Sequence, residues 1–371
     1  MDRGGLWIVA VSILCACGGD DGGPNGSGAG WDVSYGEPAV AFAQDDGFIY
    51  RWIDLDGDGD YNEANERSVF LADPSAFFKP MVALDGRTLI MVFNSPSANT
   101  GQVRWLQDAN GDGDAQDPGE SRLVFSGTLP GGTLIARMQS LALARDGSLY
   151  VSDQVVGGVG QTIYRLTDAN GDGDTDDLDE VVVVTTVPSA IHADTLALDG
   201  NDELWFVGSA GSPDDGADLY RVRSGVPALV IERAALSAAR GLLPVPFKLD
   251  VLGDGSIAFS GREVADLSRK ASLSALVDSN HDREIATNEV TTIWNFESGE
   301  FDCTFQDLKI LEDGSILVLS YKRLIRLVDG NGDGDFLDLG ETYVAFDPVF
   351  AEANGQSEPQ HLSRITATTK P

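Results

Sequence analysis

The chain has 371 residues, 42% hydrophobic and 23% charged, with 43 glycines. That composition excludes a disordered or membrane-spanning protein and supplies enough apolar side chains for a sizeable core. Its 59 acidic residues against 25 basic ones give a formal charge of -34, which excludes nucleic acid as a partner, repels anionic headgroups and makes cations the natural partners.

The chain opens MDRGGLWIVAVSILCACGGD. Arg3, an apolar run from Leu6 to Ala16 and small residues ahead of Cys17 form the layout of an export signal, too short to span a bilayer. The stretch Leu14-Cys15-Ala16-Cys17 resembles a bacterial lipobox, in which the last cysteine receives lipid and becomes the mature N-terminus. The resemblance implies a signal over residues 1–16, lipidation at Cys17, membrane attachment through that lipid, and residence in the bacterial cell envelope at the outer membrane or cell surface. A plain secretory signal with an unrelated cysteine is the competing reading. Residues 17–30 then form a lipidated cysteine and a flexible tether, since GGDDGGPNGSGAG (18–30) has no apolar residue larger than alanine and reaches roughly 20 Å as a coil. A lipidated Cys17 cannot pair with Cys303, so the body, residues 31–371, has to hold together without a disulfide.

Next come two alternating runs, AVAFAQ (39–44) and FIYRWID (48–54), and the first of five acidic segments. These segments begin at Asp54, Asp108, Asp168, Asp278 and Asp329, with separations of 54, 60, 110 and 51 residues. The long gap is two periods, and a period near 55 marks a repeat architecture. One unit is legible in residues 138–186: MQSLALAR, an Asp-Gly turn, SLYVSD, a glycine-rich stretch, TIYRLTD, the acidic segment and EVVVVTT. These runs predict four antiparallel strands, with the acidic segment inserted between the third and the fourth. The unit from Asp194 to about Gly241 lacks it, because DLYRVR passes through Ser224-Gly225 directly into VPALVIE, a tight hairpin turn. Later units repeat the opening pair as KLDVLGDGSIAF (248–259) and LKILEDGSILVL (308–319).

Six units result, five with the acidic loop. The first lacks an opening strand, and HLSRITATT (361–369) supplies one, closing a ring without an exposed edge. The arrangement resembles the β-propellers, which implies an all-β fold of six four-stranded blades over residues 31–371. A β-helix or a pair of sandwiches is the competing architecture.

With the first aspartate of each loop as position one, positions one and five are Asp54 and Asp58, Asp108 and Asp112, Asp168 and Asp172, Asp278 and Asp282, and Asp329 and Asp333. Position three is Asp56, Asn110, Asn170, Asn280 or Asn331. Oxygens on alternate residues of a tight loop converge on one point, and hard oxygen donors suit Ca²⁺. Position six is glycine in four loops and Arg283 in the fourth, which leaves that loop's occupancy open, so four or five calcium ions are expected. The pattern resembles the EF-hand and dockerin calcium loops. Position seven is acidic throughout, Asp60, Asp114, Asp174, Glu284 and Asp335, binding directly or through water. Glu66, Glu120, Glu180 and Glu341 fall at position thirteen, Glu289 at twelve, and Glu63, Asp117, Asp177 and Asp338 at ten; either set can complete the sphere. Of the 59 acidic residues, 27 lie in these loops, so without metal they repel one another.

The loops share one rim with the first hairpin turn of each unit. The opposite rim collects variable loops, and the residues entering each opening strand there, Gln139, His192, Asp194 and Gln306, are candidates to meet a polar ligand; a merely wet channel mouth is the alternative. No zinc, P-loop, dinucleotide or nucleophile-elbow motif occurs. The sequence reads as a calcium-binding envelope lipoprotein whose propeller is a binding or scaffold module with an unknown polar ligand or envelope partner. A propeller hydrolase or lactonase using His192 and Asp194 is the alternative, and a calcium sensor a third.

Overall fold

Each repeat folds as one four-stranded antiparallel sheet, because its short runs carry apolar side chains on both faces and meet a neighbouring sheet on each side. The computed structural model of the chain describes residues 40–368 except 46, 57–59, 74–76, 96–99, 136–137, 154–160, 188–190, 210–216, 241, 253–255, 264–270, 281–284, 296–304, 312, 321–322 and 347–363. The segments expected to be an export signal and a tether, with Cys17, Cys303 and the loop acids Asp58, Asp282 and Glu284, lie outside the described residues.

The first blade holds β1 (Val40–Asp45), β2 (Phe48–Ile53) and β3 (Arg67–Ala72). The second holds β4 (Phe77–Asp85), β5 (Thr88–Ser95), β6 (Thr100–Gln107) and β7 (Ser121–Phe125); the third holds β8 (Met138–Leu143), β9 (Leu149–Asp153), β10 (Thr162–Leu166) and β11 (Val181–Thr186). In the fourth are β12 (His192–Leu198), β13 (Leu204–Ser209), β14 (Asp218–Arg223) and β15 (Val226–Ile231); in the fifth, β16 (Leu242–Val251), β17 (Ile257–Glu263), β18 (Ala271–Leu276) and β19 (Val290–Asn295). The sixth has β20 (Phe305–Ile310), β21 (Ile316–Ser320), β22 (Leu324–Leu327) and β23 (Thr342–Phe346). Finally β24 (Arg364–Thr368) pairs antiparallel with β1, Gln44 opposite Arg364 and Val40 opposite Thr368. The missing opening strand of the first blade is therefore the one offered at 361–369.

The opening strands β24, β4, β8, β12, β16 and β20 touch in that order, and β20 touches β24 again. This closed ring of six four-stranded sheets is a β-propeller, and neither a β-helix nor a pair of sandwiches has that strand order. Six apolar clusters fill the six seams between blades. In β1, Ala41 and Ala43 face the sixth blade beside Phe346, while Val40 and Phe42 face the second blade beside Met91. Burial on both faces explains why many strands read as unbroken apolar runs, as in the fully buried ILVL (316–319) of β21.

The fourth strand of every blade carries a β-bulge, at Phe70, Val124, Val184, Val230, Ile293 and Ala345. The extra residue bends the strand and leaves its carbonyl outside the ladder. One helix was not expected from the sequence: α1 (Arg233–Arg240), an alanine-rich segment of high helix propensity. Its Leu236, fully buried, packs into the seam between the fourth and fifth blades beside Ile231 and Leu249.

Candidate metal centres

The five acidic segments connect the third and fourth strands of blades one, two, three, five and six. In the fourth blade Ser224 and Gly225, at φ of 52° and 76°, make the tight turn instead. The second, third and fifth loops share one hydrogen-bonded frame. Asp108 Oδ1 accepts from Gly111 N at 2.6 Å and its Oδ2 from Gly113 N at 3.2 Å; Asp168 and Asp329 do the same with Gly171 and Gly173, and with Gly332 and Gly334. Position six requires glycine because its φ is 103°, 96° and 91° at Gly113, Gly173 and Gly334.

The side chains of positions three, five and ten converge. Asn110 Nδ2 lies 3.0 Å from Asp112 Oδ2 and 2.7 Å from Asp117 Oδ2, and Asn170 and Asn331 bridge Asp172 with Asp177, and Asp333 with Asp338, in the same way. An amide held between two carboxylates marks where positive charge is favoured. The Asp177 carboxyl is raised by desolvation and by Asp172, Glu180 and Asp174 around it. Asp108 is lowered: desolvation opposes ionisation, but the hydrogen bonds from Arg87 and Gly111 and the nearby Arg51 outweigh it.

Position thirteen behaves differently from position ten. Glu120 is 4% exposed, and its Oε1 accepts from Ala109 N (2.9 Å) and Asn110 N (3.2 Å) while Oε2 accepts from Asp117 N (3.1 Å). Glu180 repeats all three bonds, and Glu341 caps Gly330 N and Asp338 N. These glutamates hold the loop ends together from below, and the position-ten aspartates face the convergence point. In the fourth loop Glu289 plays the capping role, accepting from Ser279 N, Ser279 Oγ and Ala286 N, and the bonds from Ala286 and Ser279 hold its carboxyl below the usual range.

In the first loop, Asp54, Asp56 and Glu66 bring carboxylate oxygens within 4.8 Å of one another, and so do Asp60, Glu63 and Glu66. Glu66 Oε1 accepts from Leu55 N at 2.7 Å. Oε2 of Glu66 and Oε2 of Glu63 are buried with no hydrogen-bond partner among the described residues. Burial, together with Glu63 and Asp56, pushes the Glu66 carboxyl up to about 8. A donor set made only of oxygen, with orphaned buried carboxylate atoms, fits a hard divalent cation.

Position eight links each loop to the blade before it. Tyr61, Ala115, Thr175 and Phe336 donate their backbone N–H to Ala345, Phe70, Val124 and Ile293 at 2.8, 2.9, 2.7 and 2.7 Å. Every acceptor is the bulge residue of the preceding fourth strand, so the loops staple four seams. In the seam between blades four and five, Leu236 of α1 and Ile285 at position eight of the fourth loop join one apolar cluster. Between blades three and four, a Cβ on Gly225 would stand 3.2 Å from the Val184 carbonyl oxygen. Polar bonds reinforce that loop-free seam: Leu196 N donates to Ser140 Oγ at 2.8 Å, Ser152 Oγ to the Ala193 carbonyl at 3.1 Å, and Ala193 N to Gln161 Oε1.

On the opposite rim, Gln139, Asp194 and Gln306 each occupy the register shift of an opening strand, β8, β12 and β20, and His192 begins β12. The three are therefore equivalent register positions of blades three, four and six. The variable loops of that rim fall largely outside the described residues. Sequence reasoning passed over the arginine in the third strand of five blades. Arg165 pairs with Asp146 at 2.5 Å, Arg326 with Asp313 at 2.9 Å and Arg221 with Glu203 at 3.4 Å, tying the first hairpin turn to the end of the third strand. Its regular place two or three residues after the start of each third-strand run was the available signal.

No protein-family model matches the sequence, and the search of curated proteins returns no match. Among solved structures, the chain is similar to a puromycin-hydrolysing peptidase of Mycobacterium tuberculosis at 12% identity and a TM-score of 0.46, over 81% of this chain and 44% of that one. It is also similar to a protein from Lactobacillus plantarum (12% identity, TM-score 0.44, 89% and 99% covered) and to AofleA from Arthrobotrys oligospora (10%, 0.45, 92% and 92%). The chain spans less than half the length of the peptidase. The fold assignment rests on the strand order and the closed ring of opening strands.

Proposed function

We propose that the chain is a calcium-binding lipoprotein of the bacterial cell envelope whose metal-stapled propeller serves as a rigid binding or scaffold module for a polar ligand or envelope partner. One observation carries the reading: the same oxygen-lined loop recurs at hairpin tips that hydrogen-bond to the neighbouring blade. An ion that gathers the carboxylates orders the tip, and an ordered tip holds the seam, which is how an exported body does without disulfides. Magnesium is a poor substitute, because it gives up its waters reluctantly to a crowded site. Lipidation at Cys17 tethers the module to the membrane, and the rim bearing Gln139, His192, Asp194 and Gln306 faces away from the calcium loops.

Calorimetric titration of the purified body tests the metal. Calcium is expected to bind at four strong sites with magnesium much weaker, and an absence of heat with calcium refutes the proposal. Mass analysis of the mature N-terminus tests the anchor, with a lipidated Cys17 expected and an unmodified chain contradicting it.

A further inference from the structure

The first loop departs from the others in one way that matters for ligation. In the second, third and fifth loops an asparagine at position three donates its amide to the acid at position ten, and the acid at position ten donates its backbone N–H to the glutamate at thirteen. Each carboxylate there already has a protein partner. The first loop has Asp56 at position three, which offers no amide. Its position-ten acid is the longer Glu63, and Glu66, only 2% exposed, keeps Oε2 without a partner, as does Glu63. These two buried carboxylate oxygens, which no donor from elsewhere reaches, belong to two groups that share Glu66, one with Asp54 and Asp56 and one with Asp60 and Glu63, and the two glutamates satisfy each other only by sharing a proton. Carboxylates so placed need a proton or a cation between them, and a cation does the work at any pH where the proton is lost.

We infer that the first loop is a cation site of a different kind, with Glu63 and Glu66 as direct ligands, and that its ion latches the seam where the sixth blade meets the first. The inference rests on the calcium reading of the loops. At this seam Tyr61, inside the loop, donates its N–H to the Ala345 carbonyl at 2.8 Å. Its ring is buried 5.8 Å from that of Trp52, which lies 4.9 Å from Phe346, and Arg67 stacks 4.7 Å from the Phe346 ring. The first blade, on one side of this seam, is also the one in which the ring is joined, β24 against β1. The other five blades are each one continuous stretch of chain; the first takes its opening strand from β24, which the chain reaches after β23 of the sixth blade, so the ladder between β24 and β1 closes the ring inside the blade that carries this loop.

Terbium, which replaces calcium in oxygen sites and emits when a nearby indole passes energy to it, reads the first loop through Trp52. Native mass spectrometry of the full chain counts the ions. Glu63→Gln/Glu66→Gln is expected to retain one calcium fewer than the wild type and to lose the Trp52-dependent part of the terbium emission, defined by its loss in Trp52→Phe. Glu63→Gln alone is expected to weaken that site by about tenfold or more, and keeps the test open if the double variant does not fold. A wild type that binds calcium while these variants lose no ion overturns the inference and leaves the other loops' reading intact. A wild type that binds none overturns both, whereas terbium emission that Trp52→Phe leaves unchanged, with a double variant that also keeps every ion, overturns the first-loop inference alone.

Discussion

Chelation should weaken the propeller in proportion to the number of well-formed loops. Four loops carry glycine at position six and donate a position-eight N–H to the neighbouring bulge. A site held at a hundred times its dissociation constant adds about 2.7 kcal/mol, so four add about 11 kcal/mol. Unfolding entropy near the midpoint is about 2.1 cal/mol/K per residue, or about 0.7 kcal/mol/K for a propeller of roughly 330 residues, which converts the loss to about 15 °C. Repulsion among the acids of the emptied loops acts in the same direction. Scanning calorimetry in excess calcium and in EDTA measures the difference, and magnesium should restore only a small part of it. Melting temperatures within about 2 °C of each other in the two buffers would refute the reasoning, since even one site at that saturation is worth more.

Tyr61→Ala removes a side chain 2% exposed from the closing seam and should cost about 3–5 kcal/mol in urea melts, as for other large buried aromatics; a loss under about 1 kcal/mol would show that the plug is not tightly packed. Gly225→Ala forces a side chain into φ of 76° with its Cβ 3.2 Å from the Val184 oxygen, and should cost about 1–2 kcal/mol from the backbone alone; a neutral result would contradict the tight approach of the fourth blade's turn. Asp153 is held protonated to higher pH by burial, offset in part by the Thr162 N–H and Tyr164. The native state therefore binds more protons than the unfolded chain between the ordinary carboxylate range and the raised value, and its contribution to stability falls as pH rises through that window. Asp153→Asn should flatten this slope in denaturant melts run across the window, and an unchanged slope would count against a buried, proton-holding Asp153.

The blade plan was legible because its signals are local. Alternating runs, the Asp-Gly turns and the spacing of acidic loops gave each strand, the loop-free fourth blade followed from Ser224-Gly225, and the unpartnered run at 361–369 gave the closing strand. What the sequence left open depends on contacts between units. Positions ten and thirteen look alike along the chain, and only the folded loop turns Glu120 under its backbone while Asp117 joins Asn110 and Asp112. The bulges at Phe70, Val124, Ile293 and Ala345 carry no sequence mark, so their pairing with position eight of the next loop was invisible. The role of Arg165 or Arg326 likewise needed the hairpin turn that brings Asp146 or Asp313 alongside. On the opposite rim, Gln139, Asp194 and Gln306 sit at the register shift of their opening strands, a feature of the strand pairing that the sequence does not mark.

Amide hydrogen exchange at Tyr61, Ala115, Thr175 and Phe336, with and without calcium, tests most directly whether bound ions staple one blade to the next. Protection at these four amides should fall together on chelation, well below the global unfolding limit, while the β14–β15 pair of the fourth blade, which has no acidic loop, keeps its protection. Equal protection of the four amides in calcium and in EDTA would contradict the account.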